Sequence, residues 1–242
     1  MTELPPLVYD PPREPWLTVL HEDRDLVVID KPAGLFSVPG VDPAHHDSAY
    51  ARVLARWPLA QVVHRLDLST SGLLVFALRR KSEAALRAQF QARTVEKVYV
   101  ARVSGNLQPD SGEVDLGIEP DLARPPLQRV SATGRQSHTR WTVIAREAAS
   151  TLVELRPTTG RQHQLRVHLA ALGHPILGDT LYGPPEALAA ADRLCLHAHH
   201  LALNHPYSED RLVFQSPVPS LITAGSAWFT THNAPSGPIS IP

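Results

Sequence analysis

Apolar residues in this chain fall in short runs separated by turn-forming clusters, and two runs carry a helical period. In "WLTVLHEDRDLVVIDKPAG", Leu17 and Val19 and then residues 26–29 are β-prone, with an acidic turn between them and a stop at residues 32–34. Asp47 or Ser48 can cap a short helix that runs to about Trp57 and is ended by Pro58. "QVVHRLDLSTSGLLVFAL", residues 61–78, is two apolar runs around a polar loop that holds His64, Arg65 and Asp67, hence strand, loop, strand. Residues 82–92 are a helix, with Leu86 and Phe90 on one face and Ser82 as its N-cap. "VEKVYVARVSG" alternates as a strand that puts Lys97 and Tyr99 on one face. "EVDLGI" is a further short strand, and "QSHTRWTVIAR" and "STLVELRP" pair through a turn near residues 147–150. Residues 161–172 carry Leu165, His168, Leu169 and Leu172 on one helical stripe, and "LCLHAHHLAL" is a late strand. Many strands with few interspersed helices imply an α+β fold on a mixed, mostly antiparallel sheet, not a doubly wound parallel one.

Composition narrows the class. A length of 242 residues at 43% hydrophobic content suits one large domain or two small ones. No apolar run approaches the roughly 18–20 residues of a membrane span. The start, "MTELPPLVYDPPREPW", has no basic region followed by an apolar core, so a cytoplasmic protein is expected. The single cysteine, Cys195, excludes an internal disulfide framework and a Cys-rich zinc site. The formal net charge of −1 conceals a segregation: residues 48–108 hold ten Lys/Arg against three acids, and residues 124–176 eight against two. Two basic central segments with acidic flanks can build one positive face for a nucleic acid. Of the cations, 20 are Arg and three Lys, and Arg suits bidentate phosphate contacts.

Taken alone, Asp67 could be a loop cap or an ion-pair member. Its setting between two buried strands, with Arg161 at the start of the helix expected over residues 161–172, also meets the needs of a carboxylate nucleophile held ionised and oriented by a guanidinium. His163 and His168 are five residues apart, about 140° around a helix, unlike the four-residue spacing of helical zinc pairs. His199 and His200 alternate across a strand, so no metal site is expected. No nucleotide-cradling glycine loop and no G-x-S-x-G elbow is present.

"HRLDLSTSGLLVFA" resembles the signature of the RluA-type pseudouridine synthases. Three further segments agree in order: "VVIDKPAGLFSVPG", with Asp30 where Asn is usual, "KVYVARVSG", and "PTTGRQHQLRVHLAALGHPILGDTLYG". The likeness runs from about residue 17 to 215. It implies a central active-site cleft in one catalytic domain over residues 17–230, without the S4-like domain many relatives carry, after a short extension (1–16) and before a Pro/Ser/Gly-rich, flexible tail (231–242). The reaction implied breaks the N1–C1′ bond of a uridine in RNA, turns the base and joins C5 to C1′, with no cofactor. The resemblance implies that Asp67 attacks C1′ or takes a sugar proton, Tyr99 stacks on the base, and Arg161 pairs with Asp67. Arg65, with His64 beside it, would fill the space left by the extruded nucleotide. Arg79, Arg80, Lys81 and Arg166 are candidate phosphate contacts, with Arg87 and Arg93, and Leu74 and Leu165 pack around the pocket. The implied substrates are a 23S rRNA hairpin and a tRNA anticodon loop, bound by a monomer with no protein partner. Two other readings stay open: a catalytically silent RNA-binding scaffold, and a nucleoside hydrolase that uses Asp67.

Overall fold

The computed structural model describes residues 7–223. They form one 11-stranded sheet with five short helices around it. The strands are β1 (Thr18–Glu22), β2 (Leu26–Lys31), β3 (Gln61–Val62), β4 (Ser71–Ala77), β5 (Glu96–Ser104), β6 (Ser111–Pro120), β7 (Gln128–Val130), β8 (Arg135–Arg146), β9 (Ser150–Pro157), β10 (Leu196–Asn204) and β11 (Arg211–Gln215). The helices are α1 (Ala49–Arg56), α2 (Arg80–Ala92), α3 (Gln164–Ala171), α4 (Pro185–Ala189) and α5 (Ser220–Thr223). The main path is β1-β2-β4-β10-β5-β9-β8-β6-β7, with β11 on β10 and β3 on β4. Every pairing is antiparallel except β4 with β10, where His197 faces Ser71 and Ala198 faces Gly72. This is the mixed, mostly antiparallel α+β sheet the sequence implied. The tail expected beyond residue 230 lies outside the described residues.

The parallel junction depends on Gly72. Its φ is +112°, and a Cβ there would run into the backbone of Ala198 on β10. Only glycine meets both conditions. β4 thereby enters the middle of the sheet directly after the loop that carries Asp67.

Local chemistry sets the helix ends. Ser48 caps α1 by accepting the Ala51 N–H at 3.1 Å, while Asp47 holds the buried Arg52 through two bonds of 2.8 and 2.7 Å. The expected N-cap of α2, Ser82, is not one. The helix begins two residues earlier, and Ser82 sits inside its first turn, donating to Asp25 Oδ1 at 2.6 Å. α3 also departs from expectation: it starts at Gln164, after His163 in the left-handed region (φ 55°). Residues 164–169 are all buried, so this helix has no solvent face from which a stripe could be phased.

Two half-sheets share one junction. Val27, Ile29, Leu74 and Phe76 belong to the core under the β2–β4 half, and Leu152, Leu155, Leu165 and Leu169 to the core under β5, β9 and α3. Tyr99, on β5, packs against both.

Candidate active site

A cleft of about 1450 Å³ opens at that junction, and Asp67 and Tyr99 both line it. Asp67 sits on the loop between β3 and β4, which the "KPAGLFS" segment clamps from below. The Lys31 ammonium is fully buried and donates to the carbonyls of Pro32 (2.8 Å), Leu35 (2.7 Å) and Leu68 (3.2 Å). Burial drives Lys31 down to about 7 against the opposing pull of the Asp67 charge. The Gly34 N–H also reaches Leu68 O at 2.9 Å. Ser37 Oγ donates to Leu66 O at 2.7 Å and accepts the Leu66 N–H at 3.0 Å. One buried cation and one buried hydroxyl thus fix the backbone on both sides of Asp67.

The guanidinium that meets Asp67 is Arg166, not Arg161. Arg166 Nη1 lies 3.9 Å from Asp67 Oδ2, with the two side chains 3% and 26% exposed. Its Nε and Nη2 donate to the fully buried Asp179 at 2.8 and 2.6 Å. Asp179 Oδ1 is held in turn by the N–H groups of Leu181 and Tyr182, at 2.9 and 3.1 Å. The Tyr182 ring stands 5.2 Å from the guanidinium. Burial works against the Arg166 charge, but the hydrogen bonds and charge of Asp179, with that of Asp67, more than offset it and raise its pKa. Two edges of the fork are therefore anchored, and the third position points at Asp67.

Arg161 lies in the loop before α3 because that helix begins three residues later than expected. Its Nε donates to Gln136 O at 3.3 Å. Burial, then the like charges of Arg135 and Arg93, lower its pKa, and it has no carboxylate partner among the described residues. The expected Arg161–Asp67 pair is corrected on this ground.

Tyr99 lines the same recess as that carboxylate. Burial first, and then the Asp67 charge, push its phenol above the ordinary range, so the hydroxyl keeps its proton at neutral pH. That recess, of about 90 Å³, is lined by Asp67, Tyr99, Leu165 and Arg166, among others. Leu165 is thus a pocket wall. Leu74 is not: all of β4 is buried, and its side chain lies in the core with Val27, Ile29 and Tyr99.

Of the expected RNA contacts, Arg65 is exposed on the cleft with no ion-pair partner among the described residues. His64 has a different task. Its Nε2 accepts the Val75 N–H at 3.1 Å and its ring stacks on Phe90 at 4.6 Å. Burial, then the Lys97 charge, hold it neutral down to about 3. It is a brace for the loop, not a phosphate ligand. Arg166 is too buried and too well paired to meet a phosphate. Arg79, Arg80 and Lys81 are exposed at the start of α2 but do not line the cleft. Arg87 and Arg93 do.

Of the histidines weighed for metal binding, His163 pairs with Tyr182 OH, His168 with Ser137 and Thr139, and His199 with Ser216 O, while His200 Nε2 is buried without a hydrogen-bond partner, 4.0 Å from Glu96 Oε1; His197, on the same strand, meets Ser71 and Ser216. Asp23, Asp25 and His205 stand close enough to share an ion, outside the cleft. His205 Nδ1 accepts two backbone N–H groups, and its Nε2 lies 3.3 Å from Asp23 Oδ2. Asp30, the departure noted above, accepts a bond from Ser216 Oγ at 2.8 Å, and burial raises its pKa.

An anchored carboxylate–guanidinium pair beside a buried tyrosine, in a cleft of this size, suits a single-carboxylate attack on a nucleotide. Residues 25–171 match the RNA pseudouridylate synthase family. The chain belongs to that family and is an isomerase that acts on RNA. It is 50% identical over 201 residues to the Dual-specificity RNA pseudouridine synthase RluA of Vibrio cholerae serotype O1, covering 83% of this chain and 82% of that one. It is 47% identical over 211 residues to the protein of the same name from Escherichia coli (strain K12), covering 86% and 96%. The fold is similar to that of Human RNA Pseudouridylate Synthase Domain Containing 1, with a TM-score of 0.72, 26% identity, and coverage of 93% of this chain and 90% of that one. No helix of the described residues is long and apolar enough to cross a membrane.

Proposed function

We propose that this enzyme isomerises uridines in two kinds of folded RNA, a 23S rRNA hairpin and a tRNA anticodon stem-loop, as one catalytic domain over residues 17–230 acting as a cytoplasmic monomer. The dual targets follow from the half-identical relatives named for dual specificity. The observation that carries the chemistry is the Asp67–Arg166–Asp179 chain at the floor of the cleft. Asp67 acts on the sugar of the extruded uridine, by attack on C1′ or by removal of a sugar proton. The N1–C1′ electrons leave with the uracil as a delocalised anion, so no second carboxylic acid is needed to protonate it. The base turns, C5 bonds to C1′, the C5 proton is lost and N1 gains one, so the product is an isomer. Tyr99 supports the uracil as a flat ring. Because its proton is held firmly, its hydroxyl relays a proton and does not stand ready as a tyrosinate. Arg166 aims Asp67, and Arg65 fills the vacated stack.

The test is tritium release from 5-tritiated uridine in each transcript. Release from both hairpins supports the dual reading, release from one restricts it, and release from neither overturns it. Free uracil as a product would favour the hydrolase reading.

A further inference from the structure

We infer that Lys97, with Arg93 and Arg161 lining the same cleft, is the seat of the phosphate next to the target uridine, a specificity-positioning site distinct from the Asp67 machinery. The inference rests on the RNA-modifying reading above.

Lys97 and Tyr99 are two residues apart on β5, so their side chains leave the same face about 6.6 Å apart along the strand. Both line the cleft. A nucleotide whose base lies on Tyr99 and whose sugar faces Asp67 carries its backbone towards Lys97. The ammonium is partly buried there, and its hydrogen bond is to a neutral carbonyl, Thr159 O, at 3.3 Å. Among the described residues no carboxylate lies within ion-pair distance of it, or of Arg93, Arg135 or Arg161. Most other arginines are paired, Arg52, Arg56, Arg124 and Arg140 among them.

The unpaired cations repel one another. Burial and then the Arg93 charge lower Lys97 to about 8, and Arg135 and Arg93 both act against Arg161. A partly buried ammonium beside the Arg93 charge, with Arg161 lining the same cleft and no carboxylate within ion-pair distance, is an anion site in search of its anion. Gly160 borders the ammonium, where a Cβ would stand 3.9 Å from Nζ, so the backbone leaves room beside it. A phosphodiester is the anion that the enzyme's own substrate brings to this position.

Binding of an anticodon stem-loop is measured by fluorescence anisotropy over roughly 50–300 mM KCl in the Asp67→Asn background. Adding Lys97→Met weakens binding about tenfold near 100 mM and lowers the salt slope by about one, and Lys97→Arg restores the slope. Arg80→Gln, outside the cleft, leaves the slope unchanged. The same hairpin is then made with a neutral methylphosphonate on either side of the uridine that the unmutated enzyme converts. One of the two neutral linkages weakens binding when Lys97 is present and costs nothing further when Met replaces it. Circular dichroism checks folding, which loss of a partly buried, unpaired charge does not impair. Equal costs of both linkages in the two proteins, with tritium release intact, overturn this inference alone. No tritium release by the unmutated enzyme overturns the substrate reading and this inference with it.

Discussion

Replacement of Arg166 by Met separates the two duties of that residue. Arg166 and Asp179 form a buried bidentate pair with bonds of 2.8 and 2.6 Å. Without the guanidinium, the fully buried Asp179 keeps only the N–H groups of Leu181 and Tyr182. Breaking one side of such a pair costs about 3–5 kcal/mol. At about 2–4 °C per kcal/mol for a domain of this size, Tm falls by roughly 6–20 °C. Asp179→Asn alongside it removes the stranded charge while Asn Oδ1 still accepts both N–H groups, so Arg166→Met/Asp179→Asn recovers part of that loss, all but the about 1–3 kcal/mol that the unpaired Asn amide costs. Activity does not return, because Asp67 still lacks its guanidinium. Arg161→Gln, on the rim and without a carboxylate partner among the described residues, changes stability by no more than about 0.5 kcal/mol. Urea unfolding and tritium release on the same preparations read both effects. The reasoning is refuted if Arg166→Met is as stable as Arg161→Gln, or if the double variant is active.

Acid should unfold the protein early. His168 and His197 are buried and held neutral, with burial driving them down to about 4 and about 3. Both lie below the unfolded value of about 6.5, so their stabilisation is full above that pH and is lost as pH falls towards the folded values. Between pH 7 and 5 each contributes a loss of about 2 kcal/mol, and replacing His197 by Gln should flatten an unfolding series measured across that window. Gly72→Ala should destabilise by at least about 2 kcal/mol in urea titration, through the positive φ and the collision with Ala198; a neutral result would mean that the β4–β10 junction is not as described.

The strands were legible because alternation and β-branched runs survive where one sheet face meets a helix and the other solvent or core. β5, β8, β9 and β10 were all visible in this way, and of the two caps the sequence offered, Asp47 and Ser48, the structure uses Ser48. β7 and β11 were not: three and five residues of mixed polarity carry too short a pattern. The Asp67 loop could be read because an acid between two apolar runs has no packing reason to be there. Its arginine could not be chosen by helix phase, because α3 is buried on all sides and starts after a left-handed residue. Asp179 held the missing signal. In "LGDTLYG" it is an acid in an apolar run, and a fully buried carboxylate needs a buried cation, a role Arg161 on the rim cannot fill. Lys31 and Lys97 likewise lay inside quoted motifs, but burial alone reveals that one clamps the loop and the other lacks a counter-charge.

The central claim is that the Asp67 carboxylate performs the chemistry. Asp67→Asn keeps the shape of the side chain and removes its charge, and tritium release from 5-tritiated uridine in a bound stem-loop reads the step that follows glycosidic cleavage. The account predicts no release above background from a protein that still folds and still binds the RNA. Release at the parent rate would contradict it.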